Sequence, residues 1–297
     1  MFETTKQIIG YVRFKLKYPN VELINSARLG NFYSQIGQDL YITSFLFPYL
    51  EQNIGETKYI LDIGCSHPKK FSNTFLMEKY FGCNTITIEP IIEYQKLWEQ
   101  YRPSACFENC ALGSYESKET LNVVIDSNQL HFFPHDMFSH LDRVSRYAHD
   151  SKVKQRKIDV ERLSNILDRH EVRKSLFCSI DVEGSEIGVL EGIDFNRHFI
   201  CSFCIENYTD NYMGDERIRG FLKSKGYVFV ARFGHLDDFF VHESFLWFVS
   251  SLLLLTIKAL LLTQDIAKTY DREQMSKLML KSFDPQFERI PELCPTS

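Results

Sequence analysis

From about Tyr59 to Ile205 the chain alternates short apolar runs with amphipathic segments, and this rhythm constrains its fold more than any other feature. "YILDIG" reads as a buried strand and "FSNTFLMEKYFG" as a helix, with Ser72 or Asn73 at its N-cap and Gly82 past its end. "NTITIEP" is a second strand and "IIEYQKLWEQY" a second helix, with Pro90 in its first turn where a missing N–H does no harm. "SACFENCALGS", "SLFCSID" and "FICSFCIEN" read as further strands, and "KIDVERLSNILDRH" as a short strand and a helix. "SEIGVLEGIDF" and "DERIRGFLKSKG" read as helices, and "YVFVARFGHLDDFFVH" as a closing hairpin. Strands joined through helices pair in parallel, because each helix carries the chain back to the edge it left. The pattern predicts an α/β fold with a mostly parallel sheet and helices on both faces.

In an open parallel sheet, ligands bind beyond the carboxyl ends of the strands, where the strand order reverses. The first strand ends in Asp62 and Gly64, the second in Glu89, and Asn109 follows the third. Asp181 and Glu183 end the fourth, and Glu206 and Asn207 the fifth. One such residue is commonly a turn-former or a cap. Polar groups at five successive strand ends point to a site.

The first loop selects the ligand class. A dinucleotide needs G-x-G-x-x-G so that backbone can reach a pyrophosphate. In "DIGCSHPKKFSN" Ser66 and Pro68 stand where further glycines would fall, which argues against a nicotinamide oxidoreductase. What remains is one close backbone approach at Gly64, an acid at Asp62, and a helix start near Ser72, Asn73 and Thr74. That set suits a smaller ligand with an ammonium and a carboxylate, the anion at the helix end and the cation near Asp62. Glu89 stands where an acid accepts hydrogen bonds from a ribose diol. A nucleoside joined to an amino acid describes S-adenosylmethionine.

Size and charge agree. A chain of 297 residues, 44% hydrophobic with a net charge of −5, can bury a sizeable core and has no basic excess for tracking nucleic acid. Its eight cysteines form no framework, which suits a reducing, cytoplasmic setting.

Four segments together carry a resemblance. "YSQIGQDLYI", "LDIGCSHPKKFSNTFLMEKYFGCNTITIEP", "SIDVEGSEIGVLEGIDF" and "FCIENY" resemble, in the same order, the FkbM-type family of S-adenosylmethionine-dependent methyltransferases from roughly Tyr33 to Val241. The resemblance implies a class I methyltransferase, Rossmann-like fold with a seven-stranded sheet whose last strand is antiparallel. It implies methyl transfer to a hydroxyl of a sugar, glycan precursor or other small metabolite. It places Asp62, Gly64 and Cys65 in the cofactor loop, Ser72, Asn73 and Thr74 at the helix start beneath, and Glu89 on the ribose. Asn109 and Ala111 would lie near the adenine, and Gln35 and Asp39 would pack close to the cofactor. Cys65 departs from the family's more usual alanine but is still small.

Methyl transfer to a hydroxyl is an in-line displacement in which a carboxylate aligns the nucleophile and takes its proton. Asp181 is the first choice for that base and Glu183 the second. Glu183 capping the following helix is the structural alternative. No metal is assigned, although Asp181 and Glu183 with Glu206 are hard oxygen donors that would suit magnesium.

Three segments depart from the alternation, two of them flanking the domain of residues 33–244 and one inserted within it. Residues 1–32 form a basic amphipathic start. Ser127–Lys157 interrupts the alternation and holds four of the nine histidines, so it is read as a substrate lid, with His131 and His135 as further bases. Residues 245–297 comprise an apolar helix and a polar tail. Phe245–Leu262 suits a packing or oligomerisation helix, a helix lying on a membrane, or a span weakened by Lys258. The partner expected is a small-molecule or glycan acceptor. A binding or scaffold protein that keeps the fold without catalysis is the rival reading.

Overall fold

The computed structural model describes residues 33–35, 37–52, 57–127, 139–141, 151–208, 214–233 and 236–246. Strand β1 (Tyr59–Ile63) lies inside the main sheet, with β2 (Asn84–Ile88) parallel on one side and β8 (Lys174–Ile180) parallel on the other. In β8 every residue after Lys174 is buried, the signature of a strand covered on both faces. Strand β3 (Cys106–Glu108) pairs with β2, and β10 (Ser202–Glu206) with β8, both in parallel. The order therefore runs outward from β1 in two directions, and it reverses between β1 and β8.

Beyond β10 the sheet changes character. β11 (Tyr227–Phe233) and β12 (Asp237–His242) form the expected closing hairpin, and β12 lies between β10 and β11, antiparallel to both. A two-residue strand, β9 (Phe199–Ile200), pairs with the start of β8. The sheet is thus mixed and eight-stranded, not the mostly parallel seven-stranded sheet expected. A short hairpin connection can only return a strand antiparallel.

Both faces are covered. On one, α1 (Gln38–Gln52) and α2 (Phe75–Phe81) pack Ile42, Phe45, Leu46, Leu76 and Met77 against Ile60, Phe177 and Phe239. On the other, α4 (Leu163–Arg169), α5 (Glu186–Glu191) and α6 (Glu216–Ser224) pack Ile166, Leu190 and Leu222 against a layer holding Leu61, Ile63 and Ile180. Fully burying one such side chain contributes about 1.5–3 kcal/mol. Helix α2 starts at Phe75 with Thr74 in the N-cap position, later than the sequence suggests, and Gly82 closes it at φ +62°.

A second sheet was not foreseen. β4 (Ala111–Leu112), β5 (Ser117–Ser127), β6 (His140–Leu141) and β7 (Ser151–Glu161) form four strands in the order β4-β7-β5-β6. Of the segment expected as a lid, Ser127 ends β5, His140 and Leu141 form β6, and residues 151–157 belong to β7, which pairs antiparallel with β5 from Ser127 to Ser117; its other residues, apart from Ser139, lie outside the described residues. Leu121, Val123, Leu141 and Val160 of this sheet pack on Ile91, Tyr94 and Trp98, the last in α3 (Gln95–Tyr101). Residues 1–32, His131, His135 and the apolar stretch after Leu246 lie outside the described residues. Among those described, no helix is long and apolar enough to cross a membrane.

Candidate active site

A cleft opens at the carboxyl ends of β1, β2 and β8, where the strand order reverses. Its lining joins Gly64 and Ser66 after β1, Glu89 to Ile91 after β2, and Cys110 to Leu112 around β4. Asp181, Val182, Glu183 and Ser185 after β8 complete one side, and Ser139, His140 and Leu141 of the second sheet another.

Gly64 holds the junction together. It takes φ +71°, and its N–H donates to the Ile88 carbonyl at 2.9 Å. A Cβ there would stand 1.7 Å from the Asp181 carbonyl oxygen, so the close approach inferred for this glycine is to the end of β8. Glu89 is fixed by backbone: its carboxylate accepts from the Ser66 N–H and the Ile91 N–H, each at 2.9 Å. Asn109 lies behind it, donating from Nδ2 to the Glu89 carbonyl at 2.9 Å, while Ala111 lines the cleft.

Asp62 is not in the lining. It is buried beneath, where Thr74 Oγ1 and Ser72 Oγ donate to Oδ2, and the Arg102 guanidinium stands 3.5 Å away. Burial pushes its carboxyl up while Arg102 and the two hydroxyls pull it down. Arg102, itself fully buried, also pairs with Glu78 at 2.6 Å and lies over the Trp98 ring. Asp62, expected near a ligand's cation, instead faces Arg102, a residue far along the chain, and lies outside the cleft lining.

The helix start is also committed. Ser72 Oγ accepts from the N–H groups of Thr74 and Phe75, at 3.3 and 3.1 Å. Asn73 Nδ2 donates to Ser179 Oγ at 3.0 Å and ties the loop to β8. Ser72, Asn73 and Thr74 therefore shape the loop from below and do not line the cleft. Cys65 is buried in the core, its thiol pushed well up by burial and by the charges of Glu89 and Asp62.

In the entry motif, Asp39 accepts from the Tyr33 N–H at 2.8 Å and from Ser34 Oγ at 2.6 Å, closing the turn into α1. Neither Asp39 nor Gln35 lines the cleft. Gln38 is the residue of this motif that reaches toward the site: its Nε2 donates to Asp237 Oδ2 at 2.6 Å. Asp237 sits opposite Glu206 in the β12–β10 register.

Acids crowd the far end. One carboxylate oxygen from each of Asp181, Glu183 and Glu206 lies within 4.8 Å of the others, a spacing that could hold a metal ion. Burial first, then the charges of Glu183, Asp237, Glu186 and Asp62, raise the Asp181 carboxyl well above the usual range. Glu183 is buried at φ +55°, a backbone region non-glycine residues seldom adopt. Glu186 braces the loop before α5, its Oε1 accepting from the N–H groups of Val182 and Gly184. The cleft thus offers an anchored acid, apolar walls of Ile91, Ala111, Leu112 and Leu141, and a strongly acidic end.

A family model described as the methyltransferase FkbM domain matches residues 53–229, more than half of the chain. The chain belongs to the FkbM methyltransferase family. Comparison with curated proteins and with solved structures returned no match. Within this FkbM domain, sequence reasoning missed Ser66, Ser185 and His140 as cleft residues. Ser66 and Ser185 each stand two residues after a flagged position, so the strand-end argument could have reached them. His140 had no such signal, because its place depends on β6 pairing with β5.

Proposed function

We propose that this FkbM-family chain is an S-adenosylmethionine-dependent O-methyltransferase acting on a hydroxyl of a sugar, glycan precursor or other small metabolite. The observation that carries the reading is the convergence of Gly64, Glu89, Ala111 and Asp181 on one cleft at the switch point of the sheet. Their chemistry matches an adenosyl sulfonium. Glu89, held by two backbone N–H groups, accepts from the ribose diol. Ile91, Ala111, Leu112 and Leu141 take the flat adenine face by burying apolar area. The carboxylates at the far end favour a positive sulfur.

Bound S-adenosylmethionine supplies an electrophilic methyl group. Asp181 aligns the acceptor hydroxyl and takes its proton as the new C–O bond forms. Its raised pKa makes it the stronger base among carboxylates of ordinary pKa. Glu183, next but one along the chain, adds acceptor capacity at the same end of the cleft. The walls around the cleft exclude water that would compete for the methyl group.

The test separates binding from chemistry. Asp181→Asn is expected to keep S-adenosylhomocysteine affinity within a few-fold by calorimetry. It should lose about 10²–10⁴-fold in methyl transfer from labelled cofactor to a glycan and metabolite panel. If the wild-type protein binds no S-adenosylhomocysteine, the reading is wrong.

A further inference from the structure

We propose that Asp181, Glu183 and Glu206 bind a hard divalent cation, of the magnesium, manganese or calcium kind, at the acid-rich end of the cleft. Its part in methyl transfer rests on the reading above, whereas the existence of the site does not.

The strands bring the ligands together. Ile205 of β10 pairs with Ile180 of β8, so the next residues, Glu206 and Asp181, leave adjacent parallel strands side by side. Glu183 follows two positions later, and one oxygen from each acid lies within 4.8 Å of the other two. Opposed ligands around such ions stand about 4–5 Å apart, twice a metal–oxygen distance of about 2.0–2.6 Å. Carboxylate oxygens are the donors these ions prefer.

The charged groups that act most on Asp181 are all acids: Glu183, Asp237, Glu186 and Asp62. Among the described ion pairs, three guanidinium groups stand against other acids. Arg219 and Arg232 pair with Asp238, at 2.8 and 2.5 Å, and Arg102 with Glu78 and Asp62. Like charges at this spacing are costly unless a proton or a cation sits among them.

An independent observation points to a ligand. Ser185 occupies the N-cap position of α5, yet its hydroxyl makes no cap bond. Its Oγ is buried without a partner in a residue only 6% exposed, and Ser185 lines the same cleft as Asp181 and Glu183. A serine that forgoes a cap worth about 1 kcal/mol and leaves its hydroxyl unsatisfied loses stability twice over. An ion carrying its water shell supplies the donors and acceptors that Ser185 lacks.

Such an ion holds an acceptor through two neighbouring oxygens, which narrows the acceptor class to vicinal diols and similar chelating groups. In the transfer the methyl carbon leaves sulfur and bonds to the acceptor oxygen. The C–S electron pair stays on sulfur, which becomes neutral, and the hydroxyl proton passes to the Asp181 oxygen that does not face the ion.

The experiment titrates chelator-treated full-length protein with Mn²⁺, read by electron paramagnetic resonance, with S-adenosylhomocysteine affinity measured separately by calorimetry. One ion per chain is expected, with a dissociation constant of about 10⁻⁴ M or tighter. Glu206→Gln should weaken it at least tenfold while leaving S-adenosylhomocysteine affinity unchanged, because Glu206 is not in the cleft lining. Ser185→Ala should weaken it several-fold. Glu183→Gln replaces Glu206→Gln if that variant does not fold. No binding at millimolar Mn²⁺, or binding unaltered by these substitutions, overturns the proposal. Glu206-dependent Mn²⁺ binding without S-adenosylhomocysteine binding upholds the ion site and rejects the methyltransferase reading.

Discussion

Gly64 and Asp181 meet backbone to backbone: the Asp181 N–H donates to the Ile63 carbonyl at 3.0 Å, and a Cβ on Gly64 would stand 1.7 Å from the Asp181 carbonyl oxygen. The contact joins the end of β1 to the end of β8 and sets the floor of the cleft. Gly64→Ala must therefore separate the two strand ends and also hold an alanine at φ +71°. Its expected cost is about 3 kcal/mol or more in urea denaturation, with a parallel loss of S-adenosylhomocysteine binding. Wild-type stability in this variant would refute the contact.

Arg102 is the sole guanidinium beside Asp62 and Glu78 among the described ion pairs, and all three are largely buried. Arg102→Met removes the cation and leaves two buried acids uncompensated. The expected loss is about 3–5 kcal/mol, largest near neutral pH and smaller in acid, where the carboxyls take up protons. Thermal unfolding at two pH values measures it.

Glu89→Gln turns one of two acceptor oxygens into an amide NH₂ facing a backbone N–H, either that of Ser66 or that of Ile91. We expect about a tenfold or larger fall in S-adenosylhomocysteine affinity, with about 1–3 kcal/mol lost in stability. Unchanged affinity would remove Glu89 from the nucleoside end of the cleft.

Asp237 is buried, and burial together with the charge of Asp238 moves its carboxyl up to about 6 against the pull of Gln38. Its folded pKa lies above its unfolded value, so the folded state holds the proton more tightly. The stabilisation is complete below about pH 4 and is lost as pH rises through about 6. Asp237→Asn keeps an acceptor for Gln38 and no longer ionises. It should flatten this part of the pH–stability curve and gain stability at pH 7, by up to about 3 kcal/mol. Denaturation curves from pH 4 to 8 check the slope.

Part of the cleft lining was legible at the level of strand ends. Glu89, Ala111, Asp181 and Glu183 line the cleft as the sequence suggested, and Gly64 holds a conformation that favours glycine. That Asp62 faces Arg102 and not the cleft was not legible, because the position of Arg102 follows from α3 packing and leaves no local mark near residue 62. Asp39 stays outside the lining for the opposite reason: Tyr33 and Ser34, its own neighbours, hold its carboxylate in a short-range turn. The second sheet was hidden because β5 and β7 are long, polar-rich strands. Lys118, Lys154, Lys157 and Asp159 stay exposed, so no simple alternation marks them.

The sequence by itself determined the alternation of strands and helices, the polar strand ends and the turn glycines. These are short-range properties, set by side-chain periodicity and by the backbone freedom of single residues. Only the tertiary structure decided which of the polar ends share a cleft. Pairing β8 beside β1 puts Asp181 against Gly64, and docking Arg102 beneath the sheet holds Asp62 outside the cleft lining. Both outcomes depend on contacts between segments distant in the chain, and no local pattern encodes them.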